Sequence, residues 1–486
     1  MRELRVADSI EQILDWDSET YMPRGAAAHR GEQAALIAGV AHERRTSDEL
    51  GALLERAARE TGGDPVRETN VREMRRVHER AVKLPTALVQ EIARSTTVAK
   101  EAWSRARADR SFSAFAPHLQ QILDLKRQVA ERVGWDSEPY DALMDEFEPQ
   151  ARAADVQRVF DELKRELVPL VQALTSAKRQ PDLALLSRPA AVEGQQRFNR
   201  LVSEAMGFDF TAGRLDISTH PFCTGITTRD VRLTTRYNER YMPQSLFGVM
   251  HEVGHGLYEQ GFLAEHEFTP MAAAVSLGIH ESQSRMWENM VGRSAAFWRH
   301  FYPRLQAEFD SYRDVPESAW VFAINNVRPS LIRVEADEVT YGLHIMLRFE
   351  IERRMIAGKL AVADIPQAWN EGVRSLLGIT PPDDAAGCLQ DIHWSLGIFG
   401  YFPTYQLGNL YAAQLYAAAE RAMPDLEAKI AAGQMRPLLD WLRTNVHHHG
   451  RRYRAHELVK VVSGSELSPR PFLDYLNGKY RALYGV

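Results

Sequence analysis

Cysteine is scarce in this 486-residue chain: only Cys223 and Cys388 occur, too few for a disulfide framework, and neither has the spacing of a metal pair. A reducing, cytoplasmic setting is the expectation. No stretch approaches the roughly 20 apolar residues that span a bilayer. The N-terminal MRELRVADSIEQILDWD alternates charged and apolar residues where a signal peptide would be continuously apolar. An excess of positive charge is also lacking. With 59 Lys and Arg against 65 Asp and Glu, the formal charge is −6, so no basic field draws the chain to nucleic acid or anionic lipid. Repeats and low-complexity tracts are missing as well. These absences leave a soluble globular protein, 45% hydrophobic and 26% charged, whose partners are neither nucleic acid nor membrane.

Helical patterning dominates what is present. From Ser9 to about Leu174, apolar residues recur at spacings of three and four, as in EQAALIAGVAHERR and FAPHLQQILDLKRQVAERV, with breaks at GGDP (62–65) and at Lys83-Leu84-Pro85. That pattern needs only helix packed on helix. The polar stretch SRPAAVEGQQ (187–196) divides a single domain over 1–486 into an N-terminal helical part, 1–186, and a second part, 187–486. Beyond it HPFCTGITTRDVRLTTRY (220–237) is rich in Thr, Val and Ile and predicts short strands edging a mainly α fold. If DVRLT is a strand, Asp230, Arg232 and Thr234 share one face and can wall a cleft, while Val231 and Leu233 turn to the core. The triplet His447-His448-His449, followed by Gly450, reads as a solvated helix end.

The chemistry is concentrated around HEVGH, where His251 and His255 flank Glu252. Ser245 is a suitable N-cap, Leu246, Phe247, Val249, Met250, Val253 and Leu257 form an apolar stripe, and Gly261 can end the helix, so residues 245–260 are expected to be helical. Both histidines then lie on one face within reach of a single ion, and Glu252 is turned toward a metal-bound water. Gly254 and Gly256, each costing up to about 1 kcal/mol in a helix, imply a close neighbour. Two imidazoles do not complete a site, and the extended form HExxHxxGxxH fails at Tyr258 and Gly261. A second helix, predicted from Thr269-Pro270 to Gly292, carries Glu281 and Glu288 seven apart on nearly one face. Spacing alone does not choose between them, and either could instead pair with Arg285.

Six short motifs then stand in a familiar order: HPF, DVRLT, HEVGH, HESQ (280–283), IRVEAD (332–337) and GCLQDIHW (387–394). With LDWDSETYMPRGAAAHRGEQ (14–33) before them, the chain resembles the M32 peptidase family, the thermostable-type metallocarboxypeptidases, over nearly its whole length. The resemblance implies a helical fold like that of neurolysin and angiotensin-converting enzymes with a deep cleft, a homodimer, and removal of single amino acids from peptide C-termini. It also implies that His251, His255 and Glu281 are the metal ligands and Glu252 the catalytic carboxylate. The chain begins close to LDWD, so the family's first helix is expected to be short.

Two imidazoles and a carboxylate leave a fourth position open, as a catalytic zinc site requires; cobalt or manganese would also suit these N/O donors. A zinc ion held there would acidify water, and Glu252 is the residue expected to take its proton. For the oxyanion, GCLQDIHW follows a helix start at Pro381-Pro382-Asp383-Asp384 that puts Gln390, His393 and Trp394 on one face, and His393 is the candidate donor. The segment GYFPTYQLGN adds Tyr401 and Tyr405, with Tyr405 preferred. Arginine is the best grip on a free terminal carboxylate. Arg333 is the first choice, although on a helix it would pair with Asp337 at i+4, and Arg232 is the second. His220 and Phe222 are placed to shape the cleft. Two other functions remain open: an oligopeptidase with the same zinc chemistry, and a non-catalytic helical binding protein with a relict motif.

Overall fold

The computed structural model describes Met1–Val486 and is mainly helical, with one three-stranded sheet. The N-terminal pattern folds as read. Helices Ala27–Thr46, Asp48–Arg59, Pro65–Val82, Thr86–Ala108 and Phe112–Val133 follow a first helix, Arg2–Glu19. Both expected breaks occur. Gly62 and Gly63 take positive φ, and the Asp64 carboxylate accepts from Val66 N at 2.8 Å to start the next helix. The first four helices, up to Pro65–Val82, are thinly packed, with a satellite cluster of Leu4, Leu54 and Met74, whereas one continuous core of 105 buried residues runs from Ala99 to Tyr484.

The stretch 187–196 is not an open joint. A 3-10 turn, Leu183–Ser187, leads almost directly into helix Val192–Met206. Gln195 is buried there, donating to the Ala190 and Asn238 carbonyls and accepting from Ser245 Oγ at 2.6 Å. Gln195 of this polar stretch forms a buried hydrogen-bond node.

The sheet comprises β1 (Gly213–Ile217), β2 (Cys223–Thr227) and β3 (Asp230–Thr235) in the order β1-β3-β2, with β1 parallel and β2 antiparallel to β3. β1 went unanticipated because GRLDI opens on glycine and carries two charges in five residues. Val231 and Leu233 face the core as expected. Thr234 is buried too, because its hydroxyl is satisfied by Ser218 Oγ at 2.7 Å and Phe222 N at 2.9 Å.

Helix Met242–Glu259 carries HEVGH. It starts earlier than predicted, with Pro243 in its first turn, and Ser245 lies inside it instead of capping it. Its last residue is Glu259, with Gln260 as C-cap and Gly261 just beyond. The glycines have the close neighbours that their cost implied. A Cβ on Gly254 would lie 2.6 Å from Ser284 Cα and 2.7 Å from the Gln283 carbonyl, and one on Gly256 would meet Phe208 and Leu233.

The second helix is not continuous from Thr269 to Gly292. A 3-10 turn at Pro270–Ala272 gives way to extended backbone, and helix Leu277–Arg285 starts afresh at Ser276, whose Oγ accepts from Ile279 N. The buried Glu148 carboxylate fixes that start by accepting from Gly278 N and Ser276 Oγ, each at 3.0 Å. Residues Met286–Val291 continue it as a π-helical turn. His447 is no solvated helix end: it is buried, with Nε2 3.0 Å from Gln283 Oε1.

Candidate metal centre

The two helices bring His251, His255 and Glu281 together as a cluster that could hold a metal ion. His251, His255 and Glu281 each offer an atom within 4.8 Å of the others. Glu281 Oε2 lies 3.6 Å from His251 Nε2 and 3.4 Å from His255 Nε2, so both imidazoles present the same nitrogen to one point. Burial alone would raise the Glu281 carboxyl, but Arg285 and the two imidazoles hold it well below the usual carboxylate range. Arg285 Nε donates to its other oxygen at 2.7 Å. Burial lowers His255 to about 3, which keeps its ring neutral and its lone pair available. Two imidazole nitrogens and a carboxylate of this kind fit a divalent cation.

Each imidazole is oriented through its far nitrogen. His251 Nδ1 is 3.0 Å from Glu288 Oε2, so the rival glutamate is present at the site against the far nitrogen of His251. Burial would raise Glu288, but His251 and Arg285 bring it down to about 2. His255 Nδ1 is 2.6 Å from His280 Nδ1, and His280 Nε2 is 2.7 Å from Glu259 Oε1. With both ligand Nε2 atoms bare toward the centre, one proton order runs outward along this chain: His255 donates to His280 and His280 to Glu259. Sequence reading missed His280 and Glu259 in this role. A signal existed, since Glu259 extends the stripe of His251 and His255 by another four residues.

Glu252 is buried beside this set, and no protein group hydrogen-bonds its carboxylate. Burial raises it to about 7, with the charge of Glu281 adding to the effect and His251 opposing it. A general base near neutrality has this character.

A second group adjoins the first. His393 Nε2 lies 3.3 Å from the Tyr405 hydroxyl, and the rings of Tyr401 and Tyr405 are 5.2 Å apart. The Arg333 guanidinium sits 5.0 Å over the Tyr405 ring. Gly408, one turn on from Tyr405 in helix Phe402–Ala422, backs directly onto the Glu281 side chain. Tyr341 joins the groups, accepting from Arg333 Nη1 at 3.1 Å while Arg285 stacks 4.4 Å over its ring. Burial pushes Tyr405 well above its ordinary value and Tyr401 to about 12, and lowers His393 to about 4.

The backbone under this group differs from expectation. IRVEAD forms only a 3-10 turn, Arg333–Glu335, and GCLQDIHW forms a run of turns with no helix. Arg333 therefore makes no i+4 pair with Asp337. Asp391 takes its Nε at 2.9 Å and its Nη2 at 2.8 Å, while Asp337 accepts from Arg328 N, Val339 N and Thr340. Gln390 does not share a helical face with His393; it accepts from Arg333 N and from Arg348.

Arg232 and His220 are not drawn into either group by any contact. Both Arg232 Nε and Nη2 donate to Asp230 at 2.8 Å, and the guanidinium lies 4.3 Å over Trp16 of the first helix. His220 is exposed. Cys388 is buried, Cys223 is half-buried, and both are unpaired.

Comparison with known proteins agrees with these features. The family profile described as Carboxypeptidase Taq (M32) metallopeptidase matches residues 1–480. Thermostable carboxypeptidase 1 of Thermus thermophilus is 44% identical, covering 100% of this chain and 97% of that protein. Carboxypeptidase 1 of Bacillus subtilis is 37% identical over 97% of this chain and 95% of its own. A crystal structure of M32 carboxypeptidase from Deinococcus radiodurans R1 superposes with a TM-score of 0.98 at 42% identity, over 100% of this chain and 98% of that one.

Proposed function

Because the chain belongs to the Carboxypeptidase Taq (M32) metallopeptidase family, we propose that its divalent ion is held by His251, His255 and Glu281. The enzyme is a metal-dependent carboxypeptidase and its substrates are peptides. The observation that carries the ligand assignment is the convergence of two Nε2 atoms and one carboxylate oxygen, with Glu288 and His280 behind the imidazoles. Zinc is the preferred ion, with cobalt or manganese tolerated; when bound it supplies Lewis acidity to the scissile carbonyl and acidifies water.

Glu252 takes the proton from the attacking water and returns it to the leaving amine, for which its unpartnered, near-neutral carboxyl is suited. His393 and Tyr405 serve the oxyanion as a pair. If His393 Nε2–H donates to the Tyr405 oxygen, the phenol O–H is free to donate to substrate, with Tyr401 beside it. Arg333 anchors the terminal carboxylate. Asp391 and Tyr341 occupy three of its N–H groups, so by count one remains on each terminal nitrogen for an end-on grip. Arg232 is the alternative anchor, though Asp230 already closes its side edge. His220 and Phe222 shape the sheet side of the cleft. The chain works as a single catalytic domain over 1–486, as a homodimer in the cytoplasm.

One N-blocked peptide, assayed as free acid and as amide with product masses recorded, tests the carboxylate grip. Loss of single terminal residues from the acid alone is expected, and Arg333→Met should raise KM sharply for that substrate. Internal cleavage, or equal turnover of the amide, would sink it. Removal of any one ligand side chain should abolish stoichiometric metal binding.

A further inference from the structure

Helix Tyr341–Ile356 is buried nearly all round, yet it carries a carboxylate, Glu352, that the chemistry above does not use. Glu352 is fully buried and makes no ion pair. Arg348, one turn before it, is committed to Asp391, Gln390 and the His344 carbonyl. Three neutral donors hold it: Tyr140 OH at 2.7 Å and Gly400 N at 3.0 Å on Oε2, and Trp394 Nε1 at 2.9 Å on Oε1. A buried carboxyl is costly, and an apolar side chain would pack there more cheaply, so its presence needs a reason.

The donors supply that reason. Trp394 directly follows His393, and Gly400 directly precedes Tyr401, at the head of the helix that carries Tyr405. Between them the N–H groups of residues 395–399 all pair inside the turns, and the Gly400 N–H, the next along and without a backbone acceptor, is taken by Glu352. Gly400 sits at φ +88°, where a Cβ would lie 2.6 Å from Met144 N, so its N–H has little freedom to turn elsewhere. One carboxylate thus ties both ends of the 394–400 loop, with Tyr140 bracing it from behind.

We propose that Glu352 is a positioning residue for the His393–Tyr405 pair, its two oxygens setting the spacing at which that pair meets the reacting carbonyl. The proposal rests on the assignment of His393 and Tyr405 to the oxyanion, and its test separates the two. Glu352→Gln leaves one acceptor oxygen, so its amide NH2 must face the N–H of either Trp394 or Gly400. The expected result is a kcat at least about tenfold lower, with KM and metal affinity by chelator competition within about twofold of the parent. Glu352→Gln combined with Tyr405→Phe should be no slower than Tyr405→Phe alone, because the loss acts through the same group. Trp394→Phe removes the indole donor and should restore much of the Glu352→Gln loss, since the amide NH2 then meets no N–H.

A kcat within about twofold of the parent in Glu352→Gln overturns the proposal, as does a loss that multiplies fully with that of Tyr405→Phe. A parallel fall in metal affinity would make the role merely structural and overturn it too. Unimpaired turnover in Tyr405→Phe sinks the oxyanion assignment and this proposal with it. Should Glu352→Gln fail to fold, Trp394→Phe alone decides: lower kcat at constant KM supports the tie, and unchanged kcat refutes it.

Discussion

The tightest constraint on the metal centre is steric, and Gly254→Ala tests it. The added Cβ would stand 2.6 Å from Ser284 Cα and 2.7 Å from the Gln283 carbonyl, both backbone atoms of the helix that bears Glu281. To reach the 3.4 Å of ordinary contact, one helix must retreat by about 0.8 Å. The Glu281 helix has nowhere to go. Behind it Gly408 already packs so closely that a Cβ there would lie 2.5 Å from Glu281 Cγ. The displacement therefore falls between Glu281 on one side and His251 and His255 on the other, where metal–ligand distances tolerate only about 0.2 Å.

Two quantities should separate. Overpacking costs about 1–3 kcal/mol, and replacing a helical glycine returns up to about 1, so the metal-free variant should lose about 0–3 kcal/mol. Metal affinity should fall by about tenfold to a hundredfold, the scale on which misplaced ligand support acts. Chelator competition measures the affinity, and the difference in melting temperature between metal-free and metal-loaded protein should shrink. Gly39→Ala is the control, because nothing lies within 4 Å of its new methyl in helix Ala27–Thr46. It should stabilise by about 0.5–1 kcal/mol and leave metal binding alone. Gly254→Ala binding metal as tightly as the parent would refute the reasoning.

Other outcomes follow from the same geometry. Glu252→Gln should keep its metal, measured by elemental analysis, and lose at least about a hundredfold in kcat; retained turnover would reassign the base. His280→Ala breaks the link between His255 and Glu259 and should weaken metal binding about tenfold to a hundredfold in chelator titration, whereas an unchanged affinity would leave the chain without a role. Burial raises Glu148 to about 7, so its contribution to stability is full below about pH 4.5 and is lost as pH rises through 7. Urea unfolding of parent and Glu148→Gln at pH 5 and pH 8 should differ in pH dependence by up to about 3 kcal/mol, the parent losing more at the higher pH; parallel curves would show the group to be ionised throughout.

The metal half of the site was legible because a helix repeats. Spacing put His251 and His255 on one face and turned both Glu281 and Glu288 toward them, and all four side chains meet there. It could not rank the glutamates; the resemblance of HESQ to the M32 motif favoured Glu281, whose carboxylate lies 3.6 and 3.4 Å from the two Nε2 atoms, while Glu288 lies against His251 Nδ1. Helix starts were less legible. The helix of Glu281 begins where Glu148, 130 residues away from Gly278, offers its carboxylate, and no local pattern reports that. The substrate half was hardest to read. IRVEAD and GCLQDIHW have no period and are fixed by long-range links such as Arg333 N to Gln390 Oε1 across 57 residues.

Irregular backbone in a buried site must still pair its N–H and C=O groups, and where its own turns do not, side chains supply the partner: Gln390 for Arg333 N and Glu352 for Gly400 N. That requirement leaves a trace in the helices themselves. In Tyr341–Ile356, His344, Arg348 and Glu352 stand at i, i+4 and i+8 and are all buried, although the helix is otherwise apolar on its inner faces. In Met242–Glu259, His251, His255 and Glu259 stand at the same intervals. The first stripe supports turns around His393 and Tyr401; the second faces the metal centre. A polar stripe of this period cannot be a solvated face when the residues on both sides of it are apolar, because the helix then has no side left for water. It must face other buried polar groups. The sign and number of its charges set what those groups can be: Arg348 calls for the Asp391 carboxylate, and Glu352 calls for the three donors that tie the loop.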